Sequence, residues 1–449
     1  METTIVGIAT AIGTGGIAIV RISGEKAIAM FEKVFVPAKQ VPPYESHRLM
    51  YGHIVDGEQK MDEAMGVVMH APATYTCEPV CEIHTHGGQM AVNETIQLLL
   101  KQGAELAEPG EFTKRAFMNG RIGLPEAEAV MGAIHAQSKV AYKAAVEQLN
   151  GGQSQFIHAL QAKVISMLAG MEAHIDYPDE IDEEEAMQTL LSALDETIIQ
   201  LESAIDERSA RMIQEGLRVA LCGAPNAGKS TLFNALIGEE RAIVTEIAGT
   251  TRDVLTGQFS LDGVTVHLYD TAGIRESDDR VEQIGVNRAK KTLAMADVAF
   301  LLIDGTKALN EDEITLMQAT YDCPVAVILT KSDEATKVTF AEISEYSKDA
   351  NILSLSAKTG DGLKQISEFL RQYVALPQQH YLTQQRHIQL AIEVLQRLRE
   401  TKRLVEEKSP LELSTVDLHE ALYLLGRITG EEVDEKLLDD IFSTFCVGK

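Results

Sequence analysis

The residues Gly223-Ala-Pro-Asn-Ala-Gly-Lys-Ser230 have the types and the spacing that hold phosphate groups. Gly223 and Gly228 let the backbone wrap an anion with its N–H groups turned inward, Lys229 reaches the outer phosphates, and Ser230 can ligate a magnesium ion. Asn226, Ala227 and Thr231 belong to the same phosphate-facing stretch. Asp270-Thr271-Ala272-Gly273 and Thr330-Lys331-Ser332-Asp333 follow, so phosphate and base chemistry come in the order a guanine-nucleotide hydrolase needs. Asp333 decides the base, because a carboxylate there accepts from the N1–H and the exocyclic amine of guanine, a donor pair adenine lacks. Thr330 stands where this motif more commonly has Asn, but it still offers a side-chain oxygen, which predicts retained specificity with a tuned affinity.

These residues need strands to end at them. The apolar run Leu217 to Cys222 reads as a buried strand entering the phosphate loop, and Thr231 to Leu236 opens a helix whose N-terminus favours negative charge. Pro324 to Leu329 leads to the base-reading motif. Asn351 to Leu355 leads to Ser356-Ala357-Lys358, which resembles the loop that closes over the base in Ras-like GTPases. Residues 213–377 are therefore expected to form a Ras-like α/β domain. Residues 1–118 differ, with short β-like runs (Thr4 to Ala9, Gly16 to Ile22, Ala64 to His70, Val80 to His84) and a helix from about Met90 to Gln102, which predicts an α+β domain. Helical spacing fills residues 119–212, as in Leu190, Leu191, Leu194, Ile198, Leu201 and Ile205, and returns over 378–449. The expected fold class is thus multidomain α/β and α, with the nucleotide domain inserted between two halves of a helical domain.

A chain of 449 residues is too long for one core and predicts roughly three domains. Its apolar stretches fall far short of the roughly 20 residues of a membrane span, and its start has no basic-then-apolar signal, so a cytoplasmic place is expected. Five scattered cysteines argue against a disulfide framework. The net charge of −27 repels nucleic acid, so any RNA contact needs a local basic patch or a basic partner. Cys77, Cys81, His84 and His86 lie within ten residues and are all plausible zinc ligands; the alternative is a half-buried strand with ordinary side chains. Cys446 reads either as a nucleophile or as a small buried residue near a packed terminus.

Three further segments carry a resemblance along the whole chain: Thr4-Ile-Val6 through Gly15-Gly16-Ile17 to Arg21-Ile-Ser-Gly24, then Ala107-Glu-Pro-Gly-Glu-Phe-Thr113 with Arg115-Ala-Phe117, and the terminal Cys446-Val-Gly-Lys449. With the nucleotide motifs, they resemble the tRNA-modification GTPases of the MnmE (TrmE) family. The resemblance implies that residues 1–118 bind a 5-formyl- or 5,10-methylene-tetrahydrofolate through Arg21, Glu78, Arg121 and Lys449, and also form a homodimer. It implies a flavoprotein partner, MnmG, holding FAD, NADH and much of the tRNA surface, in a heterotetramer. Together they would place an aminomethyl or carboxymethylaminomethyl group on C5 of a wobble uridine.

In the nucleotide domain Ile274 occupies the place where Ras-like enzymes carry a water-positioning Gln. The resemblance gives that task to Glu282. In place of an arginine finger it implies a potassium ion held by Asn226, Thr245, Ile247 and Thr250, which would neutralise charge developing between the phosphates. Glu246, Ala248 and Gly249 lie in the same nucleotide-contacting loop, Thr251 is the implied second magnesium ligand, and Arg252, Asp253 and Arg275 are candidates for coupling the nucleotide state to the tRNA reaction. The alternatives are a GTP-dependent ribosome-assembly or RNA-binding switch, and a metal sensor built on the Cys/His group.

Overall fold

A computed structural model describes residues 3–11, 13–39, 42–177, 179, 182–239, 255–270, 296–319, 321–347, 350–374, 382–445 and 448. The chain divides into two compact units, one of Met1–Ile134, Val146–Ser203 and Gln389–Lys449, the other of His135–Ala145 and Ala204–Ile388.

The first unit begins with β1 (Ile5–Ile8), β2 (Gly15–Ser23), α1 (Ala27–Val34), β3 (Phe35–Pro37), β4 (Met50–Asp56), β5 (Gln59–Met69), β6 (Val80–Gly87), α2 (Gln89–Lys101), β7 (Glu105–Leu106) and α3 (Glu111–Met118). The strands form one sheet in the order β3-β4-β5-β6-β2-β1-β7, antiparallel except for the β1–β7 pair. Strand alternation decides what is buried: in β6, Cys81, Ile83 and Thr85 point into the protein, and Glu82, His84 and His86 point the other way. The inward set packs with Met30, Phe31 and Val34 of α1 and Val92, Ile96 and Leu99 of α2. The expected strands and the helix near Met90 are present with shifted ends, while α1, β3, β4, β7 and α3 are additional elements. Helices α4 (Leu124–His135), α5 (Lys139–Leu149), α6 (Gly152–Asp176) and α7 (Glu183–Ala204) follow. Buried Ile157, Leu160, Val164, Met167, Leu168 and Met171 recur every three or four residues along α6 and make its apolar stripe.

The second unit contains α8 (Glu207–Glu215), β8 (Leu217–Gly223), α9 (Lys229–Glu239), β9 (Leu255–Leu261), β10 (Val264–Asp270), β11 (Val298–Asp304), α10 (Glu311–Gln318), β12 (Val325–Thr330), α11 (Phe340–Tyr346), β13 (Asn351–Ser354) and α12 (Leu363–Val374). Its sheet runs β13-β12-β11-β8-β10-β9, parallel except for β9 against β10. All seven residues of β11 are buried: the apolar run Val298 to Ile303 suits a doubly covered parallel sheet, and Asp304 ends it. The sequence motifs sit where these strands end: Gly223 closes β8, Thr330 closes β12, and Ser356 lies just past β13. In open α/β sheets this carboxyl edge is where ligands bind.

The chain continues through α13 (Gln385–Glu406), α14 (Leu411–Thr429) and α15 (Glu435–Ser443). In the first unit α14 packs along α6, and Lys402 and Arg399 of α13 pair with Asp195 and Glu202 of α7, each at 2.6 Å. Such exposed pairs are screened by solvent and add little, so the buried stripes hold this bundle.

Candidate functional site

The turn between β8 and α9 is shaped by backbone that side chains resist. Asn226 has φ +64° and Gly228 φ +94°, both left-handed. Lys229, 6% exposed, donates from Nζ to the carbonyl oxygens of Gly223 at 2.7 Å and Ala224 at 3.0 Å, so its cation lies inside the loop. Ser230 and Thr231 are exposed in the first turn of α9, the end of a helix whose dipole favours an anion. A cationic group, helix N–H donors and a small hydroxyl together suit a polyphosphate and its magnesium ion.

The base-reading residues are fixed from both sides. Thr330 is buried, and its hydroxyl faces the carbonyl oxygens of Ala227 at 2.7 Å and Ile303 at 3.1 Å. Lys331, with φ +60°, donates from Nζ to Asp304 Oδ2 at 2.6 Å. Ser356, fully buried, donates its hydroxyl to Asp333 Oδ1 at 2.7 Å, and this bond holds the exposed Asp333 carboxyl below the usual carboxylate range. The loops after β12 and β13 are tied by Ser332 N–H to Leu355 O at 3.1 Å and Leu355 N–H to Leu329 O at 2.8 Å. Asp333 therefore stays ionised and oriented, as an acceptor for two guanine donors must be.

A second constellation lies in the first unit around Tyr75. The Arg121 guanidinium sits 4.7 Å from the ring centroid and donates to the Tyr75 carbonyl at 3.1 Å. Arg21 lies 5.5 Å from the same ring and 5.7 Å from that of Phe112, and its Nε donates to Glu82 at 2.9 Å. Hydrogen bonding from His84, with Arg21 close by, outweighs burial and holds the Glu82 carboxyl below its ordinary value. Glu78 accepts from Ser23 Oγ at 2.8 Å and from Arg115 Nη1 at 3.1 Å, and Arg115, 1% exposed, also pairs with Glu111 at 2.8 Å. Two guanidiniums beside an aromatic ring, with a carboxylate close in sequence, provide a surface for a flat heterocycle carrying an acidic tail. The chain's end comes to this unit as well. Gly448, φ +98°, lies so close to β1 that an added Cβ would collide with the Ile8 carbonyl oxygen.

The zinc reading of the Cys/His group is corrected by strand parity. Cys81 is buried on the core face of β6, whereas His84 and His86 lie on the opposite face, bonded to Glu82 at 3.3 Å and Asp62 at 2.7 Å. Cys77 occupies a left-handed turn before the strand, so the four side chains do not converge. Thr245, Glu246, Ile247, Ala248, Gly249, Thr250, Thr251, Arg252, Asp253, Thr271, Ala272, Gly273, Ile274, Arg275, Glu282, Cys446 and Lys449 lie outside the described residues, as does the side chain of Asp270.

Comparison with known proteins agrees with these motifs. The family model of the GTP-binding protein TrmE N-terminus matches residues 4–121, and that of the MnmE helical domain matches residues 124–446. The chain belongs to the MnmE family. It is 40% identical over 453 residues to the tRNA modification GTPase MnmE of Listeria welshimeri, covering 99% of both chains, and 41% identical over 456 residues to that of Enterococcus faecalis, covering 99% and 98%. Among solved structures, the G domain of the Thermotoga maritima FeoB iron transporter is 28% identical over 35% of this chain and 99% of its own, with a TM-score of 0.27. An Era structure from Aquifex aeolicus is 26% identical over 40% and 66%, with a TM-score of 0.28. Against this MnmE background, Tyr75 and Asp304 are residues without a role in the sequence reading, and Arg115 entered it only as part of the Arg115-Ala-Phe117 segment. An aromatic between two arginines distant in sequence leaves no local signal. For Asp304, the Asp-Gly-Thr that ends the apolar run Val298 to Ile303 was available as a cue.

Proposed function

We propose that this chain hydrolyses GTP, with magnesium and potassium, to drive modification at C5 of a wobble uridine in certain tRNAs, using a tetrahydrofolate one-carbon unit and a flavoprotein partner of the MnmG type. The observation that carries the nucleotide part is the pair of restraints on the base loop, Thr330 on the phosphate loop and Ser356 on Asp333. Lys229 and Ser230 serve the outer phosphates and magnesium, which supplies charge neutralisation when bound. Asn226 is the described candidate for potassium, with Thr245, Ile247 and Thr250. Glu282 orients the attacking water, and Arg252, Asp253 and Arg275 couple nucleotide state to the tRNA reaction.

The folate part rests on Arg21 and Arg121 beside the Tyr75 ring, with Glu78, three residues further on, held by Ser23 and Arg115. In this reading Arg21 and Arg121 meet the acidic tail, Glu78 meets the pterin edge, and Lys449 closes the pocket. Residues 1–118 form the folate and dimer domain, 213–377 the G domain, and 119–212 with 378–449 the helical domain. The protein acts in the cytoplasm as a homodimer, within a heterotetramer with the flavoprotein that brings FAD, NADH and the basic surface for tRNA.

The test is reconstitution of the full chain with the flavoprotein, GTP, potassium, a methylene-tetrahydrofolate and tRNA, read by nucleoside mass spectrometry. Modified wobble uridine that disappears when folate or GTP is omitted supports the proposal. GTP hydrolysis without tetrahydrofolate binding would move the chain to the ribosome-assembly class.

A further inference from the structure

Asp304 ends β11 with a carboxylate that is 5% exposed and fully engaged. Oδ2 accepts from Lys331 Nζ at 2.6 Å and lies 3.4 Å from Lys307 Nζ; Oδ1 accepts from the Thr306 amide at 3.1 Å and the Thr306 hydroxyl at 2.7 Å. Burial alone would raise its pKa, yet these donors hold it down at about 2. The strand end grips the base loop at two more points: Gly305 N–H donates to Thr330 O at 3.1 Å, and Ile303 O faces the Thr330 hydroxyl. Nothing in the guanine-reading chemistry assigned above needs an acid at position 304.

Lys331 stands two residues before Asp333, on left-handed backbone, with its side chain 35% exposed. A lysine is an apolar stem of four methylenes carrying a charged tip. Anchoring the tip fixes the stem beside Asp333, where a purine ring can pack on it without first ordering a mobile chain. We propose that Asp304 is a positioning residue for guanine, acting through its ion pair with Lys331 to hold that side chain ready at the base. This inference rests on the GTPase reading of the same site.

The experiment is a double-mutant cycle on the full chain, read by equilibrium and stopped-flow binding of mant-GDP. Asp304→Asn is expected to weaken binding by about tenfold or more, chiefly through faster dissociation, while kcat at saturating GTP changes less than about twofold. In a Lys331→Met background the same substitution is expected to change affinity by less than about twofold. Equal losses in the two backgrounds would show that Asp304 merely supports the Thr306 turn, and an unchanged or raised affinity in the Lys331 chain would also overturn the proposal. If the Asn variant does not fold, Asp304→Glu, which keeps the charge but moves it by one methylene, carries the same cycle. Failure of the underlying reading has a different signature: the unmutated chain would show no preference for mant-GDP over mant-ADP.

Discussion

Thr330 gives its hydroxyl to the carbonyl oxygen of Ala227 at 2.7 Å, joining the first residue of the base-reading motif to the phosphate loop. The Ile303 carbonyl oxygen lies 3.1 Å from the same hydroxyl, so two acceptors share one proton. Replacing the hydroxyl by a methyl in Thr330→Val leaves both carbonyls without this donor in a buried site. That costs about 1–3 kcal/mol, which predicts mant-GDP binding weakened by roughly tenfold or more. Unchanged affinity in Thr330→Val would mean that the two loops are held by other contacts.

Arg115 is the largest fully buried side chain among the described residues and is the partner of Glu78 and Glu111. Removing one member of a buried ion network leaves the other charges uncompensated, so Arg115→Met is predicted to destabilise the first unit by about 3–5 kcal/mol in urea unfolding. It should also abolish binding of 5-formyl-tetrahydrofolate, because Glu78 loses its anchor, while mant-GDP binding persists. Wild-type stability with intact folate binding would refute this role.

At the other end of the chain, Gly448 has a left-handed φ and no room for a side chain beside Ile8. Gly448→Ala is therefore predicted to free the terminus from β1 and to weaken 5-formyl-tetrahydrofolate binding in a fluorescence titration. The unfolding temperature should fall by no more than a few degrees, since one terminal contact is lost. Equal folate affinity in both proteins would detach the terminus from the site.

His267, in β10, has a buried Nδ1 with no hydrogen-bond partner among the described residues. Burial lowers its pKa, outweighing the opposing effect of the Glu215 carbonyl, and nearby Arg218 adds to the lowering. A folded pKa below the unfolded 6.5 means that the stability is complete above pH 6.5 and falls as the unfolded chain takes up the proton first. Between about pH 7.5 and about pH 5.5, thermal unfolding of the nucleotide unit should therefore lose more stability in the natural chain than in His267→Gln. Parallel curves would place the titration elsewhere.

Much of this was legible in residue order. Strand–loop–helix around Gly223 to Ser230 follows from an apolar run, two glycines and a helix start, all local signals. The long helices were legible through three-and-four spacing such as Ile157, Leu160 and Val164. The short elements α1 and β4 were not, because eight residues give α1 barely two helical turns and Gly52 and His53 break the apolar run of β4. The Cys/His group misled for a related reason: proximity in sequence says nothing about side, and the odd spacing of three residues along β6 puts Cys81 and His84 on opposite faces. Tyr75 and Asp304 remained silent because their partners, Arg21 and Lys331, reach them through sheet topology and loop folding.

The most direct measurement is nucleotide hydrolysis by the purified full chain, with GTP and ATP compared in potassium and in sodium buffer. Turnover of GTP alone, faster in potassium and losing that response in Asn226→Ala, is the predicted result. Turnover of ATP at a similar rate, or equal GTP rates in the two salts, would contradict a guanine-specific, cation-assisted hydrolase.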